Sequence, residues 1–312
     1  MAVNTLAFAT ILMQALDQKA VQTMCTGWMD ANAGQVKYTG GNEVKIPTIS
    51  TDGLGDYGRR GADGSTVGTG FPAGAAKLEY KTYTMSQDRG RKFGLDRHDV
   101  DETNFVATAA QIMNVFQTEN VVPEIDAYRI SKLASYVQEG MKKEDYTPAA
   151  DSIITELKTG IKNIRKRGYN GSLICMISYD ALMEVELAMA GKLTSTTFAA
   201  GGFNTTCPSI DGVPLVPVPD NRMYTAITLY DGTTGGQTAG GYVKGGSALD
   251  INFLICPTTT PIAVTKQDNM RIFSPDVNQA ADEWSMDYRR YHELWVLDSR
   301  KDSIYLCTKA SS

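Results

Sequence analysis

The run Asn42-Glu43-Val44-Lys45-Ile46-Pro47-Thr48-Ile49-Ser50 alternates apolar and polar residues with the two-residue period of a strand. Pro47 has no N–H to give to a neighbour, so this strand belongs at an edge. The next 24 residues, 51–74, hold eight glycines. A compact domain rarely carries so long a structureless loop unless the loop has a function. Alternation resumes in Lys77-Leu78-Glu79-Tyr80-Lys81-Thr82-Tyr83-Thr84-Met85. Two extended runs around a glycine-rich tip predict a long hairpin. Two strands alone are marginal in water, so the hairpin needs a further surface to lie on. Gly53-Leu54-Gly55-Asp56-Tyr57-Gly58 reproduces the GxGxxG of dinucleotide folds. The sequence after it, Arg59-Arg60-Gly61-Ala62-Asp63-Gly64, does not open the helix that such a site requires. These glycines are read as loop.

Outward from the hairpin, residues 86–101 are dense in charge of both signs: Asp88, Arg89, Arg91, Lys92, Asp96, Arg97, His98, Asp99 and Asp101. They read as a salt-bridged joint at the base of the arm. From Glu102 a helical pattern begins, with Phe105, Ala109, Ile112, Met113 and Phe116 on one face. Pro123 is incompatible with a helix interior, so a break or kink is expected at 120–122. A second segment then carries Ile125, Tyr128, Arg129, Leu133 and Val137 at helical spacing. Together the two would make a rod of about 50 Å at 1.5 Å per residue.

Upstream, residues 4–26 read as an amphipathic helix capped by Asn4 and ended by Gly27. Downstream of a polar boundary at 140–148 the texture becomes α/β. A helix runs from about Asp151 and ends at Gly168 behind Arg165-Lys166-Arg167, residues 173–178 are an apolar strand, and residues 180–193 are a second helix. Residues 194–208 read as loop. Ile210-Asp211-Gly212-Val213-Pro214-Leu215-Val216-Pro217-Val218-Pro219 reads as extended, with a turn at Asp211-Gly212. Its prolines point to edge or isolated strands. Residues 231–246 form a second glycine-rich stretch, read as a mobile loop, and 252–256 a strand. Residues 263–265 and 271–273 read as short strands, Trp284 to Leu297 as a long one with a phase shift near Arg290, and 303–307 as a closing strand.

With 312 residues the chain can bury roughly three quarters of its unfolded surface. Apolar residues make up 42% and charged residues 21%, the composition of a globular protein. A net charge of −5 disfavours a protein whose whole surface grips nucleic acid, yet leaves room for a locally basic face. No apolar run reaches the length of a membrane span, and the N-terminus lacks the basic start of a signal peptide. The five cysteines are scattered and read as free thiols. Only two histidines exist, His98 and His292, too few for a histidine-rich metal site. No motif for a P-loop, a zinc protease or a serine hydrolase is present, and no catalytic residue, cofactor or metal is assigned. Two basic spots, Lys142-Lys143 and Arg165-Lys166-Arg167, are candidates for facing DNA through weak contacts without sequence preference.

The order of these parts resembles the major capsid proteins of tailed bacteriophages with the Hong Kong 97-type fold. Ile210-Asp211-Gly212-Val213-Pro214-Leu215-Val216 looks like the Gly-x-Pro-Val strand of the family's axial domain, and Tyr128-Arg129-Ile130-Ser131-Lys132-Leu133 like the end of its spine helix. The resemblance implies an α+β fold with an N-terminal arm (1–41), an extended β-hairpin loop (42–85) and a peripheral domain with the spine helix (86–147). An α/β axial domain (148–257) and returning peripheral strands (258–312) would complete it. It further implies a non-enzymatic shell protein that forms pentamers and hexamers, closes an icosahedral head around double-stranded DNA, and meets portal and decoration proteins. Assembly would take place in the bacterial host cytoplasm. No scaffolding helix precedes the arm, so a separate scaffolding protein or prior processing is expected. Lys77 and Lys81 have no recognisable partner for the crosslink some members make. Under the resemblance, the expected intersubunit contacts are Gly53, Leu54, Tyr57, Arg59, Arg60 and Phe71 at the tip and Arg89, Arg91, Lys92 and Arg97 at its base. An encapsulin-like compartment shell is the alternative within the fold, and an enzyme with a glycine-rich lid the alternative outside it.

Overall fold

The computed structural model describes residues 24–35, 37–38, 43–57, 71–96, 112–190, 194–200, 203–278 and 283–310. The chain divides into two compact units, residues 34–85 and the remainder.

The smaller unit is the expected hairpin. Strand β2 (Glu43–Thr51) pairs antiparallel with β3 (Ala76–Thr84) in unbroken register from Glu43↔Thr84 to Thr51↔Ala76. Among the described residues the short β1 (Lys37–Tyr38) pairs with Val44 and Lys45, and none pairs with the edge of β2 away from β3 at Pro47. This is the position the missing N–H predicts. Asp52 extends the pairing by one step: its N–H donates to Ala75 O at 3.1 Å, and its Oδ2 accepts from Ala75 N–H at 2.7 Å.

In the larger unit, a seven-stranded sheet has the order β5-β15-β12-β6-β9-β8-β7. Its members are β5 (Lys142–Lys143), β6 (Leu173–Ser178), β7 (Thr194–Ala200), β8 (Phe203–Ile210), β9 (Val213–Val218), β12 (Ile251–Pro257) and β15 (Tyr305–Thr308). Every residue of β6, β12 and β15 is buried, which is why they read as continuous apolar runs. Helices α2 (Ile153–Lys166) and α3 (Tyr179–Ala188) pack on the sheet and on each other. Ile255 and Tyr305 are register partners that both point at Gly160 of α2. A two-residue turn at Asp211 (φ 51°) and Gly212 (φ 76°) joins β8 to β9, the left-handed pair that Asp-Gly favours. Helix α3 starts at Tyr179, one residue before the expected 180, behind a cap the sequence reading did not name: Ser178 Oγ accepts from Ala181 N–H at 3.3 Å.

A second sheet has the order β13-β14-β4, with β4 (Gln87–Asp96), β13 (Pro261–Phe273) and β14 (Glu283–Val296). A further pair, β10 (Ile227–Leu229) and β11 (Tyr242–Lys244), brackets the second glycine-rich stretch.

Several expectations are corrected. Residues 194–200 and 203–208 are not loop but most of the β7–β8 pair, in which Thr-rich, uncharged segments ladder with each other from Thr194↔Ser209 to Ala200↔Phe203. Strand β9 is interior despite its prolines. Its pairing with β8 stops at Ser209↔Pro214, so the residues beyond it meet a ladder only on the β6 side. The two short strands at 263–265 and 271–273 are one strand, β13, held together by β14 across a bulge between Thr265 and Gln267. That bulge faces Tyr291 and His292, where the phase of β14 shifts. The charged stretch 86–101 is not a joint in its described part, 86–96, which is mostly β4. Residues 24–26, read as the end of the first helix, are not helical, and Gly27 opens a 3-10 segment (Gly27–Gln35) instead of ending a helix. The rest of that predicted helix, and the start of the spine at 102–111, lie outside the described residues.

Pro123 does not break the helix. Residues 112–116 run through a π turn (Gln117–Val121) into α1 (Val122–Ser135) with helical backbone angles at both junctions. In the π turn Val122 N–H donates to Gln117 O, five residues back. The widened turn absorbs the bond Pro123 cannot make, so the chain continues as helix where a simple α-turn would clash.

Gly160 provides a test of this packing. A Cβ there would stand 2.6 Å from Tyr305 Cδ1 and 2.9 Å from Ile255 Cδ1. The Tyr305 ring is tethered by its hydroxyl to Glu156 at 2.5 Å and cannot swing away. Replacing a mid-helix glycine would return ~1 kcal/mol of helix propensity for alanine, less for a β-branched residue; overpacking costs ~1–3 kcal/mol. Gly160→Val is expected to lower stability by about 2 kcal/mol in urea unfolding, and an unchanged midpoint would contradict the packing.

Candidate assembly surfaces and their anchoring helix

Helix α1 holds four other pieces of the larger unit through polar side chains that are buried or half-buried. Asp126 is fully buried and accepts four hydrogen bonds: Cys25 N–H at 3.1 Å, Thr26 N–H at 3.1 Å, Thr26 Oγ1–H at 2.5 Å and Arg222 Nη1 at 2.8 Å. One turn on, the fully buried Arg129 donates to Thr26 O at 3.0 Å and, through both terminal nitrogens, to Asp30 at 2.7 and 3.1 Å. Residues 24–33 of the expected N-terminal arm are thus stitched into the larger unit. Trp28 and Met29 join the main core, and Asn32 Nδ2 donates to Thr258 O and Pro261 O, both at 2.7 Å.

Tyr128 reaches the second sheet, where its hydroxyl donates to Glu293. Glu293 also accepts from Ser86 N–H at 3.0 Å and Ser86 Oγ–H at 2.7 Å, and Lys132 Nζ lies 3.9 Å away. Burial, then the Glu293 carboxylate, push the Tyr128 phenol far above its ordinary range. Ser86 is where the chain enters the larger unit from the hairpin, so a buried carboxylate marks that point. Glu124, the fourth anchor, takes Arg89 of β4 through Nε at 2.8 Å and Nη2 at 3.1 Å.

Arg89 also organises the second glycine-rich stretch, donating to Tyr230 O at 2.7 Å and Gly241 O at 3.3 Å, while Arg91 donates to Thr238 O at 3.2 Å. Asp231 closes a turn by accepting from Thr233 N–H, Thr234 N–H and the Thr234 hydroxyl, and these bonds hold its carboxyl well below the usual range. A side chain at Gly232 would meet Arg91 Nη1 at 3.1 Å, and the φ of +77° there favours glycine anyway. The stretch expected to be mobile is a tied-down lobe, because its bonds come from β4, about 140 residues earlier. The cavity beneath it, about 230 Å³, is lined by Arg89, Glu124, Arg290 and His292 among others. Most of its charges are matched by ion pairs, Arg89 to Glu124, Arg290 to Asp268 at 2.6 Å and Asp88 to Arg289 at 2.5 Å, while Arg91 and Asp231 meet neutral partners. Among the described residues no cluster of His, Cys, Asp and Glu could hold a metal.

The predicted contact residues fall into two groups. In the hairpin unit Gly53 is exposed, and Leu54, Tyr57 and Phe71 are large apolar residues turned to solvent, Phe71 at 86%. The Tyr57 and Phe71 rings meet edge-on at 4.8 Å. Ile49 (71%) and Leu78 (55%) are direct cross-strand partners, and Tyr80, at 63%, lies opposite Pro47 on the same face. That apolar face was not singled out in sequence, although the alternation encodes it. In the larger unit Arg89 is engaged as above, Lys92 approaches Glu283 at 3.9 Å, and Arg91 sits against the glycine-rich lobe. Arg59, Arg60 and Arg97 lie outside the described residues. The two basic spots stand on separate elements. Lys142 and Lys143 are exposed on edge strand β5, Arg165 and Lys166 close α2, and Arg167 pairs with Asp302 at 3.1 Å. The five cysteines are free thiols; burial pushes the Cys256 thiol up to about 12.

No family model matches the sequence, and no curated protein matches it. Solved structures do. The capsid structure of cyanophage P-SCSP1u superposes with a TM-score of 0.56 at 13% identity over 88% of this chain and 86% of that one. The mature capsid of bacteriophage PhiM1 gives 0.56 at 13% identity over 88% and 83%. A structure from Mycobacterium phage Adephagia gives 0.58 at 8% identity over 91% and 90%. The chain has the α+β fold of phage capsid structures, as the order of its parts led us to expect.

Two measurements check the anchoring. Removing one partner of a buried ion pair leaves the other charge stranded, at about 3–5 kcal/mol. Asp126→Leu, which leaves Arg222 without its carboxylate at 14% side-chain exposure, is therefore expected to cost that much in chemical denaturation, well beyond the ~0.5 kcal/mol of a typical surface change. His292 gives a pH signature. Burial, then Arg290, Arg129 and Arg89, hold its imidazole well below its ordinary 6.5. The unfolded chain binds a proton there that the folded chain refuses, so stability is full above about pH 6.5 and falls below it, by up to about 1.4 kcal/mol per pH unit. Urea unfolding at pH 7.5 and pH 5 is expected to show that difference shrinking by about 2 kcal/mol in His292→Asn.

Proposed function

We propose that this chain is the major capsid protein of a tailed bacteriophage, a subunit that builds the icosahedral head around double-stranded DNA. The observation that carries this reading is the hairpin. Residues 34–85 form a compact unit of their own, and Ile49, Leu54, Phe71, Leu78 and Tyr80 in it are turned to solvent. Contiguous apolar surface of this kind marks an interaction site, and the fold is one whose solved examples include phage capsids.

In this reading the hairpin lies across an adjacent copy, with Leu54, Tyr57 and Phe71 at the contact and Gly53, Arg59 and Arg60 shaping and charging the tip. Arg91, Lys92 and Arg97 meet the neighbour near its base. The α/β part, 148–257, gathers subunits into pentamers and hexamers. Each interface is weak, and closure of the shell sums many of them. The protein acts by assembly and carries out no reaction. Lys142, Lys143, Arg165, Lys166 and Arg167 face the packaged DNA through contacts that fade with salt. A separate scaffolding protein, a portal and a decoration protein complete the assembly in the host cytoplasm, and the product is the virion capsid.

Deleting residues 53–74 tests the reading. The shortened chain is expected to remain folded and soluble, since the larger unit has its own core, yet to form no closed shells in electron micrographs. Shells of normal size and yield from that deletion would overturn it.

A further inference from the structure

Helix α3 is apolar on two sides. Ala181, Leu182 and Val185 are buried, while Tyr179 (53%), Met183 (55%) and Leu187 (61%) stand exposed at four-residue spacing on the other side. A surface helix ordinarily turns a polar face to water. The polar residues that α3 does carry are acidic, Asp180, Glu184 and Glu186, with no lysine or arginine between Tyr179 and Ala188. Asp180 is matched by Lys309 at 3.5 Å; Glu184 and Glu186 have no ion pair among the described residues.

Helix α2 bears the complement. Lys158, Lys162, Arg165 and Lys166, together with Asp211, line a shallow, open groove over Ile161, which is 7% exposed. Lys158 is matched by Asp211 at 3.5 Å; the other three cations have no ion pair among the described residues. The groove thus offers an apolar floor, long aliphatic stems and unmatched positive charge. Those are the features that an apolar stripe with an acidic border requires.

We propose that the Tyr179–Met183–Leu187 face of α3 docks into the basic α2 groove of a second copy of this chain. A contact between two different patches of one molecule is head-to-tail, and repeated around an axis it closes a ring. The inference rests on the assembly reading above and names the contact that would make the ring. It also reassigns Arg165 and Lys166. DNA would account for the cations of α2, but it would leave the apolar stripe uncovered and face the acids of α3 with like charge.

The test uses the full chain and a charge exchange. Met183→Lys places a cation where the groove is already positive, at an exposed site that leaves the melting temperature of the unassembled subunit unchanged. Shell yield by sedimentation and electron microscopy is expected to fall at least about tenfold, the equivalent of about 1.4 kcal/mol. Glu184→Lys with Glu186→Lys is expected to do the same, as is Lys162→Glu with Arg165→Glu. The chain carrying all four changes is expected to recover assembly, because only a direct contact restores the pairing. Wild-type yield from Met183→Lys, or four changes no better than two, overturns the proposal while leaving the hairpin reading intact. Shells that form normally from Lys162→Glu with Arg165→Glu but retain less DNA on raising salt also overturn it and return these residues to the DNA. An unaltered chain that builds no shell under any condition ends both readings.

Discussion

Asp126 and Arg129 stand one turn apart on α1 with no exposure to water, and everything around the helix is arranged to make that tolerable. An isolated charge in a protein interior costs several kcal/mol. Here Asp126 is met by two backbone N–H groups, a hydroxyl and Arg222, and Arg129 by a backbone carbonyl and both oxygens of Asp30. The partners come from the segment before the hairpin and from the stretch after β9, about 100 residues away in each direction. Replacing the pair with apolar groups could leave the fold as stable, since buried ion pairs are weak sources of net stability. What they enforce is register. Sliding the helix by a turn, or shifting Cys25–Asp30 by a residue, would strand a charge.

Glu293 repeats the logic on the second sheet. It gathers Tyr128 and Lys132 from the helix and Ser86 from the start of β4. Arg89, three residues on, then binds Glu124 of the helix and the carbonyls of the glycine-rich lobe. The helix is thereby a shared reference for both sheets of the larger unit. In the assembly reading proposed above that arrangement matters, because exposed surfaces such as the α3 stripe would act only if the elements bearing them keep fixed positions. The widened turn at Gln117–Val121 belongs to the same economy of position. It lets one helix run past Pro123 and place Glu124, Asp126, Tyr128 and Arg129 on a single rigid element.

Much of this was legible in the residues. The hairpin and its register follow from two alternating runs with Pro47 at a free edge. Helix α2 follows from apolar positions at Leu157, Ile161 and Ile164 and from Gly168 behind its last turn. The apolar stripe on α3 was within reach too. Tyr179, Met183 and Leu187 are four apart and out of phase with Leu182 and Val185, so one face of the helix is apolar beyond what its own core needs. By contrast, nothing local distinguishes Arg89, which is buried in partners, from Arg91 two residues later, which meets one carbonyl at the surface.

The sequence by itself determined the elements whose conformation is decided within a few residues. These are the β2–β3 hairpin, the Asp211-Gly212 turn with its two positive φ angles, the Ser178 cap and the long run of β14. Each rests on steric preference or on a period that a short window contains. Only the tertiary structure decided that 261–273 is one strand across a bulge, that the prolines of β9 lie inside a sheet, and that residues 231–246 are held. In each case the deciding hydrogen bonds come from residues outside the segment, from β14, β6 and Arg89. A backbone group or a charge must find a partner once it is buried. Which partner it finds is a property of the assembled fold, because the candidates are alike in sequence and differ only in where folding brings them.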